Sequence, residues 1–468
     1  MSVAEASVAD GLVGEAPPSP AGPAPDDGGG VRLPPSLPLP RALQTLRFSL
    51  RQIEFVFRAR RELGDVFLFR SIVDDDIEAI TCHPDHVRSL FTAKPEEAPS
   101  LTGESPLRPI VGPNSVLTAV GPRHMRQRKL LLPPFHGEAV QRYTEMIDEA
   151  ADREIDSWPQ GTPFALAPRM QAITLDVIMA GIFGIEGEPA KSTPEHSLRQ
   201  TIRRAVALST RPEAQLFELL NLGSDEPVGP TRLFLSELDR HMYAVIKARR
   251  AGERRTDILS LLFDAETEDG ERLTDQELRD ELLTLVLAGH ETTANSLAWA
   301  FERLLRHPAA YDRLREVTRS DDDPDGYVEA TIHETMRSRP VIPIIGRRVT
   351  VPWQLGDYRM PAGSSVLISI LLLHHREDVY PDPFAFRPER FVGRKPGTYT
   401  WIPFGGGIRR CLGATLAMAE QRVVLRAIAR RTDLEAADPN PEHARHRNVT
   451  MIPAAGAEVV MTGRRRAA

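Results

Sequence analysis

Apolar residues recur at helical spacing over most of this chain, and the clearest case lies between residues 273 and 308. The run LTDQELRDELLTLVLAGHETTANSLAWAFERLLRHP opens with Thr274 and Glu277 in a Ser/Thr-x-x-Glu capping box and closes at His307-Pro308. Its roughly 32 residues, at about 1.5 Å each, would make a rod of roughly 48 Å, long enough to cross a whole domain. That length, and a middle that is apolar all round except at Gly289, His290, Glu291, Thr292 and Thr293, predict a central helix. Residues 415–431, TLAMAEQRVVLRAIARR, repeat the same period and predict a second core helix. Residues 41–64 form a basic amphipathic stretch that predicts the first ordered element. From residue 123 to 250 the pattern is mainly helical, broken by Pro133-Pro134, Pro159, Pro163, Pro168 and a polar stretch at about 184–193.

Strand patterns are few. DVFLFRSIVDDDIEAITC, residues 65–82, predicts two short strands around an acidic turn, with a helix following over 85–91. Residues 346–369 predict a second small strand-rich patch. Residues 93–120 predict a loop far longer than the usual connection of about 4–6 residues, and loops of that length in compact domains are usually functional. Residues 377–401 are irregular, rich in Pro, Phe and Arg. The first forty residues, dense in Ala, Pro, Gly and Asp, predict a disordered extension. With no internal repeat and no linker after residue 40, the remainder, 41–468, reads as one domain, mainly α with small β-sheets.

Composition narrows the class. A hydrophobic share of 41% in 468 residues supports a sizeable core. The net charge of −7, with its positives scattered, argues against nucleic acid as a partner. The two cysteines, Cys82 and Cys411, do not make a disulfide framework, which fits a reducing compartment, and Cys82 reads as a structural thiol. No window reaches 18 consecutive apolar residues, and the best, LLTLVLAG and VLISILLL, have core length, so no integral membrane segment is expected. The N-terminus lacks the order of a signal peptide, and the expected location is cytoplasmic. A membrane-surface role for residues 41–64 is conceivable beside the plainer reading of a packed first helix.

The chemistry concentrates in FGGGIRRCLG, residues 404–413. Arg409 and Arg410 flank Cys411, and the helix predicted from residue 415 offers N–H groups. Such surroundings can bring a thiol from about 8.5 down to roughly 3.5–7.5. Gly405, Gly406 and Gly407 clear side chains from the approach, as a large flat group such as a haem would require. Phosphate binding lacks its lysine, since neither GxxxxGK[ST] nor a GxGxxG after a strand is present. A cysteine hydrolase has 13 histidines to draw on but no local pattern. In the long helix, Gly289, His290, Glu291, Thr292 and Thr293 are unusual at a buried position. The Thr292 hydroxyl is expected to bond the Ala288 carbonyl, with Gly289 easing the ladder open into a bulge that admits water.

The pattern Phe404, Gly407, Arg409, Cys411 and Gly413 resembles the haem-binding loop of the cytochrome P-450 superfamily, and AGHETT resembles the oxygen-binding helix of that family. Glu334 and Arg337 in HETMR resemble its Glu-x-x-Arg helix, and His124 with Arg128 its His-x-x-x-Arg pattern. The resemblance covers about residues 41–468. It implies the cytochrome P-450 fold, with haem b between the long central helix and the Cys411 helix, and Cys411 as axial ligand of the iron. The cofactor-binding residues it implies are Cys411, His124, Arg128, Arg347, Arg409, Phe404, Gly405 and Ala288, with Arg348 an adjacent alternative to Arg347. Thr292 and Glu291 are the implied catalytic pair, the alcohol holding water and oxygen and the carboxyl relaying protons. Glu334, Arg337 and Arg390 would form a buried triad holding the cysteine loop.

The implied function is a haem-thiolate monooxygenase that uses O2 and two external electrons to hydroxylate or epoxidise a lipophilic substrate such as a fatty acid, terpenoid or steroid. The chain ends soon after the Cys411 helix, so no fused reductase is expected. The implied donors are ferredoxin with ferredoxin reductase, or a flavodoxin-type protein, received on a basic surface of Arg126, Lys129, Arg410, Arg422 and Arg426. The apolar stretches 339–345, 449–453 and 107–117 are expected at the substrate pocket. The rival readings are a haem-thiolate peroxygenase or isomerase, and a non-catalytic haem sensor.

Overall fold

The computed structural model describes residues 21–23, 31–73, 75–105, 107–135, 138–209, 221, 224, 226–252, 255–267 and 270–465. The predicted long helix runs without interruption from Asp275 to Arg306, 32 residues, and starts with the reciprocal capping box of Thr274 and Glu277. Its apolar positions sit at the heart of a large helical core that includes Leu278, Leu282, Leu297, Phe301 and Leu304, all essentially inaccessible. The helix Leu166–Phe183 packs along it most extensively. Among the described residues Leu166–Phe183 is the one helix apolar and long enough to cross a membrane by composition, and most of it is buried in this core. Such burial is what a soluble core helix needs, and the sequence pattern, scored by unbroken apolar runs, does not reveal it.

A second core lies under the sheet lobe. Strand Val66–Phe69 pairs antiparallel with Glu78–Thr81, which runs parallel to Ser365–Ser369, which in turn pairs antiparallel with Ile344–Arg348. The register sets Arg347 opposite Val366, two steps from the Ile345–Ile368 pair. Smaller sheets are formed by Pro163–Ala165, Glu458–Arg464 and Thr432–Ala436, and by the hairpin of Ala444–Arg447 with Thr450–Pro453. The expectation of a mainly α chain with small sheets holds in this architecture.

Three local expectations change. The amphipathic stretch at 41–64 is two helices, Arg41–Leu50 and Gln52–Leu63, broken at Arg51 with φ −140°. The break lets Phe48 and Phe55 close on Phe69 of the sheet, with ring centroids 4.4 and 5.8 Å from it, which a straight rod would hold on a single line. The packed chain also starts before residue 41. Leu37 is buried, the Leu68 N–H donates to the Pro35 carbonyl at 2.8 Å, and the Gln44 side chain donates to the Leu37 and Leu39 carbonyls. Proline-rich composition there makes an extended strap, satisfied by its neighbours, where disorder was expected. Ala21–Pro23 pairs with Trp353–Leu355, and the rest of the predicted extension, 1–20 and 24–30, lies outside the described residues. Third, the long loop at 93–120 carries a 3-10 turn, Leu101–Glu104, and a single helical turn, Arg108–Val111.

Candidate functional site

The cysteine loop closes on itself through backbone bonds. The Cys411 N–H donates to the Phe404 carbonyl at 2.9 Å, that of Gly405 to Ile402 and that of Arg410 to Gly407. The helix Ala414–Arg431 follows, so Cys411 sits just ahead of its first turn, as the pattern predicts. The three glycines serve different ends. A Cβ on Gly406 would collide with the Phe91 ring, and one on Gly407 with the Phe91 carbonyl oxygen. Those two glycines therefore admit the helix Pro84–Thr92, which corrects the expectation that all three clear the approach to sulfur. Gly405, at φ 66° with only Ile345 within 4 Å, is the one that faces open space.

The Cys411 side chain is accessible, yet protein surrounds it closely, so it is reached through a cleft. That desolvation raises the thiol above its ordinary value. The Gly413 N–H and the charges of Arg410 and Arg128 act in the opposite direction and do not overcome it. The sequence led us to expect a depressed thiol. Of the two expected charges Arg410 acts on the thiol, but Arg409 is turned to the 117–119 carbonyls and Arg128 takes its place, and burial outweighs both.

Around this loop the structure gathers positive groups. His124 and Arg128 lie one turn apart on the helix Gly121–Leu131, and Arg128 donates to the Arg410 carbonyl at 2.7 Å. Arg347 is 5% exposed, beside the Phe91 ring, and shares a cleft with His124 and Arg409. Its neighbour Arg348 instead pairs at the surface with Glu104 and Asp76, at 2.8 and 2.7 Å, so Arg347 is the one of the two that faces the cleft. Burial lowers the whole set, and repulsion from its other members adds to this at His124 and Arg409. His124 falls to about 3 through burial and then Arg409, Arg128 and Arg347, while Arg409 and Arg347 fall to about 10.

Among the described residues none of Arg128, Arg347 and Arg409 has a carboxylate partner. Arg409 donates to the carbonyls of Ala119 and Leu117, each at 2.8 Å, and to the Thr102 hydroxyl. Buried cations without counter-charge are costly. A dianion in this cleft would remove the repulsion, and the two propionates of a haem are such a pair of charges. The donor set therefore fits the group: a thiol at the mouth of a cleft, an uncompensated cluster of cations beside it, and a glycine open to the void.

In the central helix Thr292 donates to the Ala288 carbonyl at 2.8 Å, as predicted. The expected bulge is absent, because the α-helix is continuous there. Gly289 has another use: a Cβ would strike Ile178, so the glycine sets the close approach of Leu166–Phe183. Thr174 on that helix donates to the His290 carbonyl at 2.9 Å. Ala288 is exposed although both flanking stretches are buried, so this turn of a core helix opens on a void. One turn on, Ser296 donates to Gln421 of the cysteine helix at 2.6 Å, which ties the two helices together.

Glu334 and Arg337 are fully buried and doubly bonded at 2.7 and 2.8 Å. Arg390 reaches Glu334 at 3.4 Å. Arg337 also donates to the His374 carbonyl, and the His374 ring accepts the Ile402 N–H at 2.9 Å, which carries the triad's geometry into the cysteine loop. The predicted basic docking surface is largely neutralised. Arg126 pairs with Glu271 and Glu277, Arg422 with Glu329 and Arg426 with Asp321, while Arg410 is exposed.

Two features carry no local sequence signal. Glu291 is bonded to Arg447 and Thr450 of the C-terminal hairpin, more than 150 residues away. Asp280 and Glu281 of the central helix hold the long loop by accepting the N–H groups of Asn114 and Val116. Only the oddity of Glu291 in a buried helix hinted at the first, and nothing hinted at the second.

A family model described as Cytochrome P450 matches residues 32–460. Cytochrome P450 137 of Mycobacterium tuberculosis is 36% identical over 450 residues, covering 93% of this chain and 92% of that one. Cytochrome P450 138 of Mycobacterium bovis is 38% identical over 438 residues, covering 93% and 97%. Among solved structures, retinoic acid-bound cyanobacterial CYP120A1 is similar in fold, with a TM-score of 0.78 at 23% identity, covering 93% of this chain and all of that one.

Proposed function

This chain belongs to the cytochrome P450 family of haem b monooxygenases, and from that premise we propose that it oxidises a lipophilic small molecule, with Cys411 as the residue whose thiolate would hold the haem iron. The observation that carries the assignment of residues is the cluster of buried Arg347 with partly buried Arg128 and Arg409, none of which has a carboxylate partner among the described residues. His124, Arg128, Arg347 and Arg409 would hold the propionates, and Phe404, Gly405 and Ala288 would border the ring. When bound, the haem supplies activation of O2 with two external electrons and transfer of one oxygen atom to the substrate.

The chain's own residues do the rest. Thr292, with its hydroxyl hydrogen directed at the Ala288 carbonyl, offers lone pairs to the void and can hold a water there. Glu291, next in line, is the carboxyl through which protons would pass from solvent to that hydroxyl. The Glu334–Arg337–Arg390 triad keeps the cysteine loop in one geometry. This alcohol and acid pair favours monooxygenation over a peroxygenase, isomerase or sensor, none of which needs protons delivered at that point.

Half-buried Ile344 and Ile345, the exposed Val449 and the 107–117 loop supply an apolar boundary with few polar groups, which suits a fatty acid, terpenoid or steroid. The retinoic acid held by the fold neighbour is one apolar carboxylate worth testing. Electrons would come from a ferredoxin or flavodoxin-type protein at the face bearing Arg410, in a cytoplasmic setting.

The test is spectroscopic. The haem-loaded protein, reduced and exposed to CO, is expected to give the red-shifted Soret band of thiolate ligation. Titration with retinoic acid or dodecanoic acid is expected to shift the ferric Soret band as the iron-bound water leaves. An unshifted CO band would sink the thiolate assignment, and no response to any apolar probe would favour the sensor.

A further inference from the structure

The first three turns of the central helix carry a polar stripe, Glu277, Asp280, Glu281 and Thr284, at the i, i+3, i+4, i+7 spacing of one helix face. All four meet the segment 114–127. Asp280 accepts the Asn114 N–H at 3.1 Å and its side-chain amide at 3.0 Å, and the Thr284 hydroxyl meets that of Ser115 at 2.6 Å. Both Glu281 oxygens accept the Val116 N–H, at 2.9 and 3.1 Å, and Glu277 accepts from Gln127 at 3.2 Å. The approach is close, since a Cβ on Gly112, at φ 92°, would overlap the Asp280 carboxyl. Ser115 and Glu281 are inaccessible and Val116 is 8% exposed, so these groups depend on one another for their hydrogen bonds. The same segment is gripped from the cysteine loop by Arg409. Its Nη1 donates to the carbonyls of Val116 at 3.3 Å and Ala119 at 2.8 Å, and its Nη2 to the Leu117 carbonyl at 2.8 Å and to the Thr102 hydroxyl. Four of the five guanidinium N–H groups are thereby taken. Nε and the positive charge remain uncommitted on a side chain that lines the cleft with His124 and Arg347.

We propose that Glu281 is a positioning residue for the anionic edge of the haem, acting through Val116 to hold the Arg409 guanidinium in place. The inference rests on the reading of the cleft as the propionate site. Val116 is the meeting point: its N–H goes to Glu281 and its carbonyl receives Arg409, so one residue joins an acid of the central helix to a cation of the cysteine loop. An arginine on a free stem loses rotamer freedom when it binds an anion, and one already fixed by backbone carbonyls does not. Those carbonyls can fix it only if they are fixed themselves. The segment 112–119 lies between the helical turn Arg108–Val111 and the helix Gly121–Leu131 with neither helix nor strand of its own. Internally it has a turn that returns the Ala119 N–H to the Ser115 carbonyl and the Thr118 hydroxyl to the Gly112 carbonyl, each at 2.8 Å. Its place against the rest of the molecule is set from outside, chiefly by the stripe on the central helix. Within that stripe Glu281 is the member bonded to the residue that Arg409 also holds.

The rate at which the ferric, haem-loaded protein gives up haem to excess apomyoglobin, followed by absorbance, tests this without turnover. Arg409→Met is expected to speed the loss, which checks the site itself. Glu281→Ala is expected to speed it roughly two- to tenfold, the worth of one long side chain held in place before binding. Glu281→Gln keeps an acceptor for the Val116 N–H and is expected to restore the wild-type rate. In the Arg409→Met background Glu281→Ala is expected to add nothing, because the two residues act in series. Thr284→Val, a milder cut at Ser115, is expected to give a smaller acceleration with the same dependence on Arg409, and it carries the test if Glu281→Ala does not accumulate. Faster loss from Arg409→Met beside wild-type loss from the central-helix variants would overturn the positioning role and leave the cleft as the propionate site. Equal acceleration by Glu281→Ala with and without Arg409 would also overturn it, as a general loosening of the fold. An Arg409→Met protein that keeps its haem as the wild type does would show that the propionate reading itself fails at Arg409.

Discussion

The two sides of the candidate site are built on opposite plans. The cysteine side takes its backbone frame from short-range parts: a loop that bonds within ten residues of itself, a helix that follows at once, and a Glu-Arg pair three residues apart on a buried helix. Only its arginines reach distant residues such as Leu117 and Ala119. The central-helix side is made of parts brought from far along the chain. Glu291 is held by residues 447 and 450, and Glu281 by the Val116 N–H, 165 residues away. A thiolate ligand must be fixed, whereas proton supply and substrate entry must change with occupancy. Contacts made between elements that can shift relative to one another suit the second task.

The largest effect expected is on the cysteine side. Cys411→Ala removes the one thiol in the cleft, and no neighbour can replace it, since Arg409 and Arg410 are cations and Leu412 is apolar. Loss of the thiolate-type CO band and of all turnover is expected, with haem retained weakly through the cationic cluster. A variant that kept the band would break the comparison at its base, by showing that this side does not depend on its local loop. The cluster can be checked separately, because haem retention in Cys411→Ala should fall further on Arg347→Gln.

This contrast also explains what the sequence made legible. Cys411, Thr292 bonded to Ala288, His124 with Arg128, and the Glu334–Arg337 pair were readable because each rests on spacing within one loop or one helix. The central helix was readable to its capping box. What failed to appear is what depends on packing. Gly289, Gly406 and Gly407 looked like openings, but their missing Cβ atoms are needed for Ile178 and Phe91, which come from other helices. The depressed thiol was inferred from neighbouring charges alone, while burial, a property of the whole fold, decides the direction. The basic docking face looked free because acids such as Glu329 and Asp321 are distant in sequence. The break at Arg51 is imposed by the sheet beneath it.

A moderate effect is expected on the central-helix side. Glu281 is inaccessible, and burial holds its carboxyl well above the ordinary carboxylate range, against the opposing pull of the Val116 N–H. Its oxygens accept the Val116 N–H at 2.9 and 3.1 Å. Glu281→Gln keeps an acceptor of the same shape and should change stability little. Glu281→Ala leaves a buried N–H without its acceptor, at a cost of about 1–3 kcal/mol. It should also loosen the loop at 112–119, leaving it to Asp280, Thr284 and Arg409. Hydrogen exchange over that loop, with the apparent affinity for an apolar probe, measures the change. Equal behaviour of the two variants would sharpen the comparison differently, by showing that Asp280 and Thr284 suffice to pin the loop.

The smallest effect returns to the cysteine helix, which contains one buried acid of the opposite kind. Glu420 is 1% exposed, its Oε1 has no hydrogen-bond partner, and burial pushes its carboxyl up to about 8. In the unfolded chain a glutamate titrates near 4.3. Between those values the folded protein holds a proton that the unfolded chain has already released, so stability falls as pH rises through this window. Glu420→Gln replaces the acid with an uncharged side chain of the same size and removes that slope. The wild type should lose roughly 1–2 kcal/mol relative to the variant between about pH 6 and about pH 8, with the two converging near pH 4. Denaturant unfolding at these pH values reads the difference directly. A wild type and variant that stay parallel across the window would mean that Glu420 has found a partner. The cysteine side would then share with the other side a reliance on distant residues, and the division between a locally built half and a remotely held half would have to be redrawn at this helix.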